Sequence, residues 1–197
     1  MTDWTENLRR RFIVLDGPDG GGKSTHVRML ADALEARDLP VTLARDPGGT
    51  FIGEKIRQIL LDRSHAEMAI GCETLLYMAS RAQLMAEVIQ PALDAGRCVL
   101  CDRWVSATIA YQVAGGTEAE NVRMAYRSAL DGVWPDLTVL LDLPVETGLA
   151  RLGKTDDLDR MEAKDLAFHR RVRELFLEQA SAEPGRFTVV DASTSID

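Results

Sequence analysis

The stretch that decides the fold is Arg11–Leu34, which reads RFIVLDGPDGGGKSTHVRMLADAL. An apolar run ends in Asp16, four glycines crowd the next six positions, and a lysine and two hydroxyls open a helical period. Within it Gly17–Ser24, GPDGGGKS, fits the pattern GxxxxGK(S/T) between a strand and a helix, where that pattern cradles phosphates. Glycines let the backbone curl so that successive N–H groups point inward, at the positive end of a helix beginning near Lys23. Gly17, Pro18, Asp19, Gly20, Gly21, Gly22, Lys23, Ser24 and Thr25 are therefore candidate contacts for a nucleoside triphosphate such as ATP. Lys23 would reach the terminal phosphates and the Ser24 hydroxyl would ligate Mg²⁺. An ordinary glycine-rich turn is the bland alternative, and the flanking strand and helix weigh against it.

Outward from this loop, runs rich in Val, Leu and Ile recur as VTLAR, RCVLCD, LTVLLDL and RFTVVDA. Near-continuous apolar strands separated by helical periods imply a parallel sheet covered on both faces. The expected helices are 25–37, 51–62, 73–95, 119–130 and 162–180, with Pro91 bending or ending the third. The fold class is thus α/β: a P-loop NTPase fold with a five-stranded parallel sheet in three layers, built on right-handed crossovers. Ligands collect outside the carboxyl ends of such strands. There the chain places Asp16–Ser24, Asp46–Thr50, and Asp102 with Arg103.

With 197 residues, 46% of them hydrophobic, the chain reads as one domain over 1–197 without linker or repeat. Arg9–Arg11 before FIVLD imitate a signal peptide, but the apolar run is too short and ends in an acid. No run of about 18 apolar residues suggests a membrane span, and the expected compartment is the cytoplasm. A net charge of −8 disfavours a nucleic-acid footprint, so an anionic partner must meet a local basic pocket. Cys98 and Cys101 form a CxxC, but inside a strand residues three apart point to opposite faces, so both read as core.

A phosphate loop alone leaves motors, switches, transporters and small-molecule kinases open. No NKxD stretch for guanine and no LSGGQ-like run is present. Four further stretches narrow the field: RDPGGT at 45–50, LLYMASRAQ at 75–83, DRWVSATIAYQ at 102–112 and LDRME at 158–162. In this order, together with GPDGGGKST, they resemble the bacterial thymidylate kinase family, from about Phe12 to Ala192. The resemblance implies transfer of the ATP γ-phosphoryl group to dTMP, a Mg²⁺ ion, a homodimer and a short mobile lid at about 150–161.

What it implies residue by residue is specific. Arg57 and Arg103 would grip the acceptor monophosphate, a task suited to the planar guanidinium fork; a solvated helix face remains the alternative for Arg57. Asp102 would hold the metal as a Walker-B acid does, or else pair with Arg103. Asp19 and Asp46 would surround the sugar 3′-hydroxyl and organise the arginines or metal, or else be plain turn residues. Tyr77 would stack on the base and Arg81, four residues on and on the same helical face, would reach a base carbonyl. An aromatic and a basic residue on a half-buried face give the same spacing. Thr108 and Gln112 would lie beside the base, and Tyr111 would crowd the 2′ position and favour deoxyribose.

Relatives without an arginine in the phosphate loop, where this chain has Gly20, carry several lid arginines instead. Here the lid offers only Arg151, Lys154 and Arg160. Arg151 and Lys154 are the candidates for stabilising the moving phosphoryl group, with Arg160 and Ala192 as candidate ATP contacts. Ala107 replaces a common serine, with Ser106 one residue earlier. Other readings are a different nucleoside monophosphate or deoxynucleoside kinase, or a non-catalytic ATP-binding regulator.

Overall fold

The computed structural model describes residues 4–153 and 158–194. Its strands are β1 (Phe12–Asp16), β2 (Val41–Arg45), β3 (Cys98–Asp102), β4 (Leu137–Asp142) and β5 (Phe187–Asp191). All pair in parallel, in the order β2-β3-β1-β4-β5. Every residue of β1 and β3 is buried, as continuous apolar strands in the middle of a two-faced sheet must be. Alternation divides them between two cores. Phe12, Val14, Val99 and Cys101 pack with Leu84, Ile109 and Tyr126, whereas Ile13, Leu15, Cys98 and Leu100 pack with Val27, Leu34 and Val41. Cys98 and Cys101 thus sit on opposite faces, and all three cysteines are free thiols.

The helices are α1 (Lys23–Glu35), α2 (Phe51–Leu61), α3 (Ile70–Leu84), α4 (Gln90–Asp94), α5 (Val105–Ala114), α6 (Ala119–Leu130), α7 (Val145–Leu152) and α8 (Leu166–Ala182). The single helix expected at 73–95 is corrected to two, joined by a wide π turn at Met85–Ile89. Pro91 lies in the first turn of α4, where its missing N–H costs nothing. Sequence periodicity missed α5 because Val105–Gln112 are buried without a break, which leaves no polar stripe to read. It missed α7 because that helix is eight residues long. Helix α8 starts after Asp165, not at Glu162: the Asp165 carboxylate accepts from the Phe168 N–H at 2.8 Å, a side-chain cap. Just before it, Asp159 accepts from the backbone N–H groups of Met161 and Glu162 and holds that segment in a turn.

Neighbours β1 and β3 send their following connections to opposite edges of the sheet, β1 to β2 and β3 to β4. Their carboxyl ends are level: Leu15 and Arg45 both lie opposite Asp102. The crevice at this reversal is where an open α/β sheet binds ligands. No helix among the described residues is long and apolar enough to cross a membrane. Residues 154–157 of the expected lid, Lys154 included, lie outside the described residues.

Candidate active site

The glycine loop passes from β1 into α1 with Gly20 in the left-handed region, φ +74°. A Cβ there would lie 2.0 Å from the carbonyl oxygen of Gly148 on α7, so no side chain of any kind fits. This gives a physical reason why no arginine occupies the loop. Lys23 folds back over the loop, its Nζ donating to the carbonyls of Gly17 at 3.1 Å and Pro18 at 2.7 Å. Burial, reinforced by the neighbouring Arg103 charge, lowers its pKa to about 8. The next side chain, Ser24, donates its hydroxyl to Asp102 Oδ2 at the end of β3. Both proposed metal ligands therefore meet at one point, and the donor set is entirely oxygen, which suits a hard cation. No cluster of three or more His, Cys, Asp or Glu is set to hold a metal unaided among the described residues. Mg²⁺ keeps waters and substrate phosphates in its shell, so two protein oxygens can serve it.

Arg103 is the hub between the two ends of the cleft. Its backbone is left-handed, φ +69°, a strained state for any residue with a Cβ, which persists where surroundings over-determine it. Its partners are not Asp102. Nη2 donates to Asp19 Oδ1, Nη1 to the Gly17 carbonyl at 3.1 Å, and Asp16 lies 3.5 Å away. The guanidinium also sits over the Tyr111 ring, 5.1 Å from its centroid. Tyr111 donates its hydroxyl to Asp19 Oδ2 at 2.6 Å. Burial works to raise the Asp19 pKa, but Arg103, Lys23 and the Tyr111 bond together hold it below the usual carboxylate value. Asp19 thus bonds both Arg103 and Tyr111.

Beneath this hub lies Asp16, fully buried, which accepts from the Ser106 hydroxyl at 2.6 Å and the Ala107 N–H at 3.0 Å. Ser106, one residue before the usual serine position, supplies that hydroxyl. Sequence reading gave Asp16 no role, although it ends an apolar strand just as Asp102 does. It also passed over His169 on α8, whose Nδ1 is 3.9 Å from Asp19 and whose Nε2 faces the Glu162 carbonyl at 3.2 Å.

At the far end, Arg81 is pinned to Asp46 through Nε at 2.8 Å and through Nη2, both side chains being 1% exposed. Nη2 also donates to the Thr108 hydroxyl at 2.8 Å. Burial raises the Asp46 pKa against the pull of Arg81. Arg57 donates to the Pro47 carbonyl at 2.9 Å, so the solvated helix-face alternative gives way to a part-buried contact. Tyr77, Arg57, Arg81, Thr108, Tyr111 and Gln112 all line one cavity of about 360 Å³, together with Asp19, Lys23, Ser24, Asp102 and Arg103. Arg45, Asp46, Asp159 and Glu162 complete its charged lining.

The two lid arginines lie elsewhere. Arg151 is exposed and donates to the carbonyls of Ala192 at 2.9 Å, Ser193 at 3.3 Å and Gly20 at 3.5 Å. That arrangement ties the glycine loop to the stretch after β5 and sets Ala192 beside the loop. Arg160 is buried, with Nε donating to the Leu60 carbonyl at 2.7 Å and its guanidinium paired with Glu73. Neither arginine lines the cavity.

A family model described as thymidylate kinase matches residues 15–197. A thymidylate kinase of Trichlorobacter lovleyi is 47% identical over 189 residues, covering 92% of this chain and 89% of its own length. Those of Deinococcus radiodurans (46% identity; 94% and 90%) and Alcanivorax borkumensis (45%; 95% and 90%) match over comparable spans.

Proposed function

The chain belongs to the thymidylate kinase family, and on that premise we propose how its own residues carry a phosphoryl group from ATP to dTMP. The reaction yields ADP and dTDP, a step toward dTTP. The observation that carries the assignment of roles is one cavity reaching from Lys23 and Ser24 at the glycine loop to Tyr77, Arg81, Thr108 and Gln112. Two anionic substrates can be held in line across such a cleft, and positioning together with charge stabilisation is most of what phosphoryl transfer asks of a protein.

At the donor end the loop amides and Lys23 hold the triphosphate, Lys23 exchanging its two loop carbonyls for phosphate oxygens. Ser24 and Asp102 would hold Mg²⁺, which when bound would neutralise charge building on the phosphates. At the acceptor end Arg57 and Arg103 take the monophosphate. Arg103 keeps Asp19 on one edge of its guanidinium while offering the remainder, since that group has five donors. Asp46 sets Arg81 against the base, Tyr77 stacks on it, and Tyr111 stands at the sugar 2′ position with its hydroxyl already committed to Asp19. With no side chain possible at Gly20, Lys23 and Arg103 carry the charge of the moving group. Arg151 serves the glycine loop from outside.

Exposed Phe51 and Ile52, with Ile59 one heptad further along α2 and Leu75 on α3, supply an apolar face for the homodimer that the family resemblance implies. An enzyme of free nucleotides belongs in the cytoplasm. An acceptor panel of dTMP, dUMP, dCMP, dGMP and thymidine, read by ADP release, tests the reading. Highest kcat/KM with dTMP is expected; thymidine outrunning dTMP would remove Arg57 and Arg103 from their role on the monophosphate.

A further inference from the structure

Gln112 on α5 is wholly buried and lines the acceptor end of the cavity, yet only half of its amide is used. Its Nε2 donates to Glu73 Oε1 on α3 at 2.7 Å, while its Oε1 has no partner among the described residues. The other carboxylate oxygen of Glu73 is paired with Arg160, from the turn before α8. All three side chains are almost fully buried, so water does not blur the polarity of the chain. A guanidinium only donates and a carboxylate only accepts, so Arg160 and Glu73 leave Gln112 one orientation: N–H₂ toward Glu73, carbonyl away from it.

We infer that Glu73 is a specificity-determining positioning residue, fixing the Gln112 amide so that the pocket offers a hydrogen-bond acceptor to the N3–H of a thymine or uracil base. This rests on the acceptor-end reading given above. A 4-keto pyrimidine presents an acceptor at O4 beside a donor at N3; cytosine presents the reverse. The Arg81 guanidinium and the Thr108 hydroxyl line the same end and supply donors for O4. With Gln112 held carbonyl-forward, cytosine sets acceptor against acceptor at N3 and leaves buried groups unpaired, a defect that discriminates strongly.

Glu73→Gln makes the inference testable, because Arg160 still only donates. The new amide must turn its oxygen to Arg160 and its N–H₂ to Gln112, which then has to rotate and present N–H₂ to the cavity. Expected results are a fall in kcat/KM for dTMP of about 10- to 100-fold, carried by KM, and a dTMP-to-dCMP ratio narrowed by a similar factor. KM for ATP should stay within about twofold, and Glu73→Asp, which keeps the carboxylate polarity, should retain the ratio. A folded Glu73→Gln variant with the wild-type ratio overturns the inference, as does an equal loss on both acceptors. Wild-type protein with no preference for dTMP over dCMP would instead overturn the base-pocket reading beneath it. Should the variant not fold, wild-type crystals with dTMP decide. Gln112 bridging Glu73 and N3 is the expected result, and an N3 bonded to any other group overturns it.

Discussion

Lys23 carries the most direct pH signature. Burial, then the nearby Arg103 charge, lowers its pKa from 10.5 to about 8 in the free protein. A triphosphate needs the charged amine, so kcat/KM for ATP should decline above about pH 8, while kcat, which reports the complex, should hold to higher pH. Lys23→Arg should remove that decline at a lower absolute rate; a decline of the same shape would assign it to another group. The linkage has a definite sign. Between about pH 8 and 10.5 the unfolded chain binds the proton that the folded one has lost, so this group's contribution to stability rises with pH across that window. Arg81 and Asp46 form the second test. Arg81→Ala strands a buried carboxylate and should cost about 3–5 kcal/mol of stability in urea unfolding while raising KM for dTMP. Asp46→Leu combined with Arg81→Met should recover much of the stability and none of the acceptor affinity. The motifs name these residues, but not their pairing: nothing in the spacing of Asp46 and Arg81, thirty-five positions apart, tells that each exists partly to hold the other.

Among the elements, the glycine loop packs directly against α7. A Cβ on Gly148 would come within 2.2 Å of the Asp19 carbonyl, so Gly148→Ala, although outside the phosphate-binding motif, should push that loop aside. A rise in KM for ATP of about tenfold or more, with KM for dTMP much less affected, is expected. Unchanged ATP kinetics would mean that α7 can retreat without cost. The strands were legible as short apolar runs, and α1, α2 and α6 because each repeats with a helical period. Helix α5 was not, although DRWVSATIAYQ marks it as functional. A helix buried on all sides carries no amphipathic signature, and that same burial lets it deliver Ser106, Thr108, Tyr111 and Gln112 to four different partners. The candidate site was easier to read than the elements that hold it. Phosphate chemistry restricts residue type and spacing, whereas a wall of the core asks only for volume.

For the molecule as a whole, charge is distributed unexpectedly. The chain carries −8, and the expectation was a locally basic pocket. The lining instead pairs Lys23, Arg45, Arg57, Arg81 and Arg103 with Asp19, Asp46, Asp102, Asp159 and Glu162. Formal charges cancel, so the cleft offers anions directed donors with no net attracting field. KM for dTMP at saturating Mg²⁺ and ATP should therefore change by less than about threefold between 50 and 300 mM KCl. A steep rise with salt would indicate long-range attraction.

The contact of Gly20 with α7 also bears on how such an enzyme can change over generations. Moving a phosphate-stabilising cation into the loop is closed to any one-step substitution at position 20, because every side chain meets the Gly148 carbonyl until α7 itself has shifted. In this chain, putting the charge in the loop therefore takes a coordinated rearrangement of two backbones. Libraries randomised at position 20 alone should return glycine, and those that also free the 144–149 stretch should be the first to yield anything else.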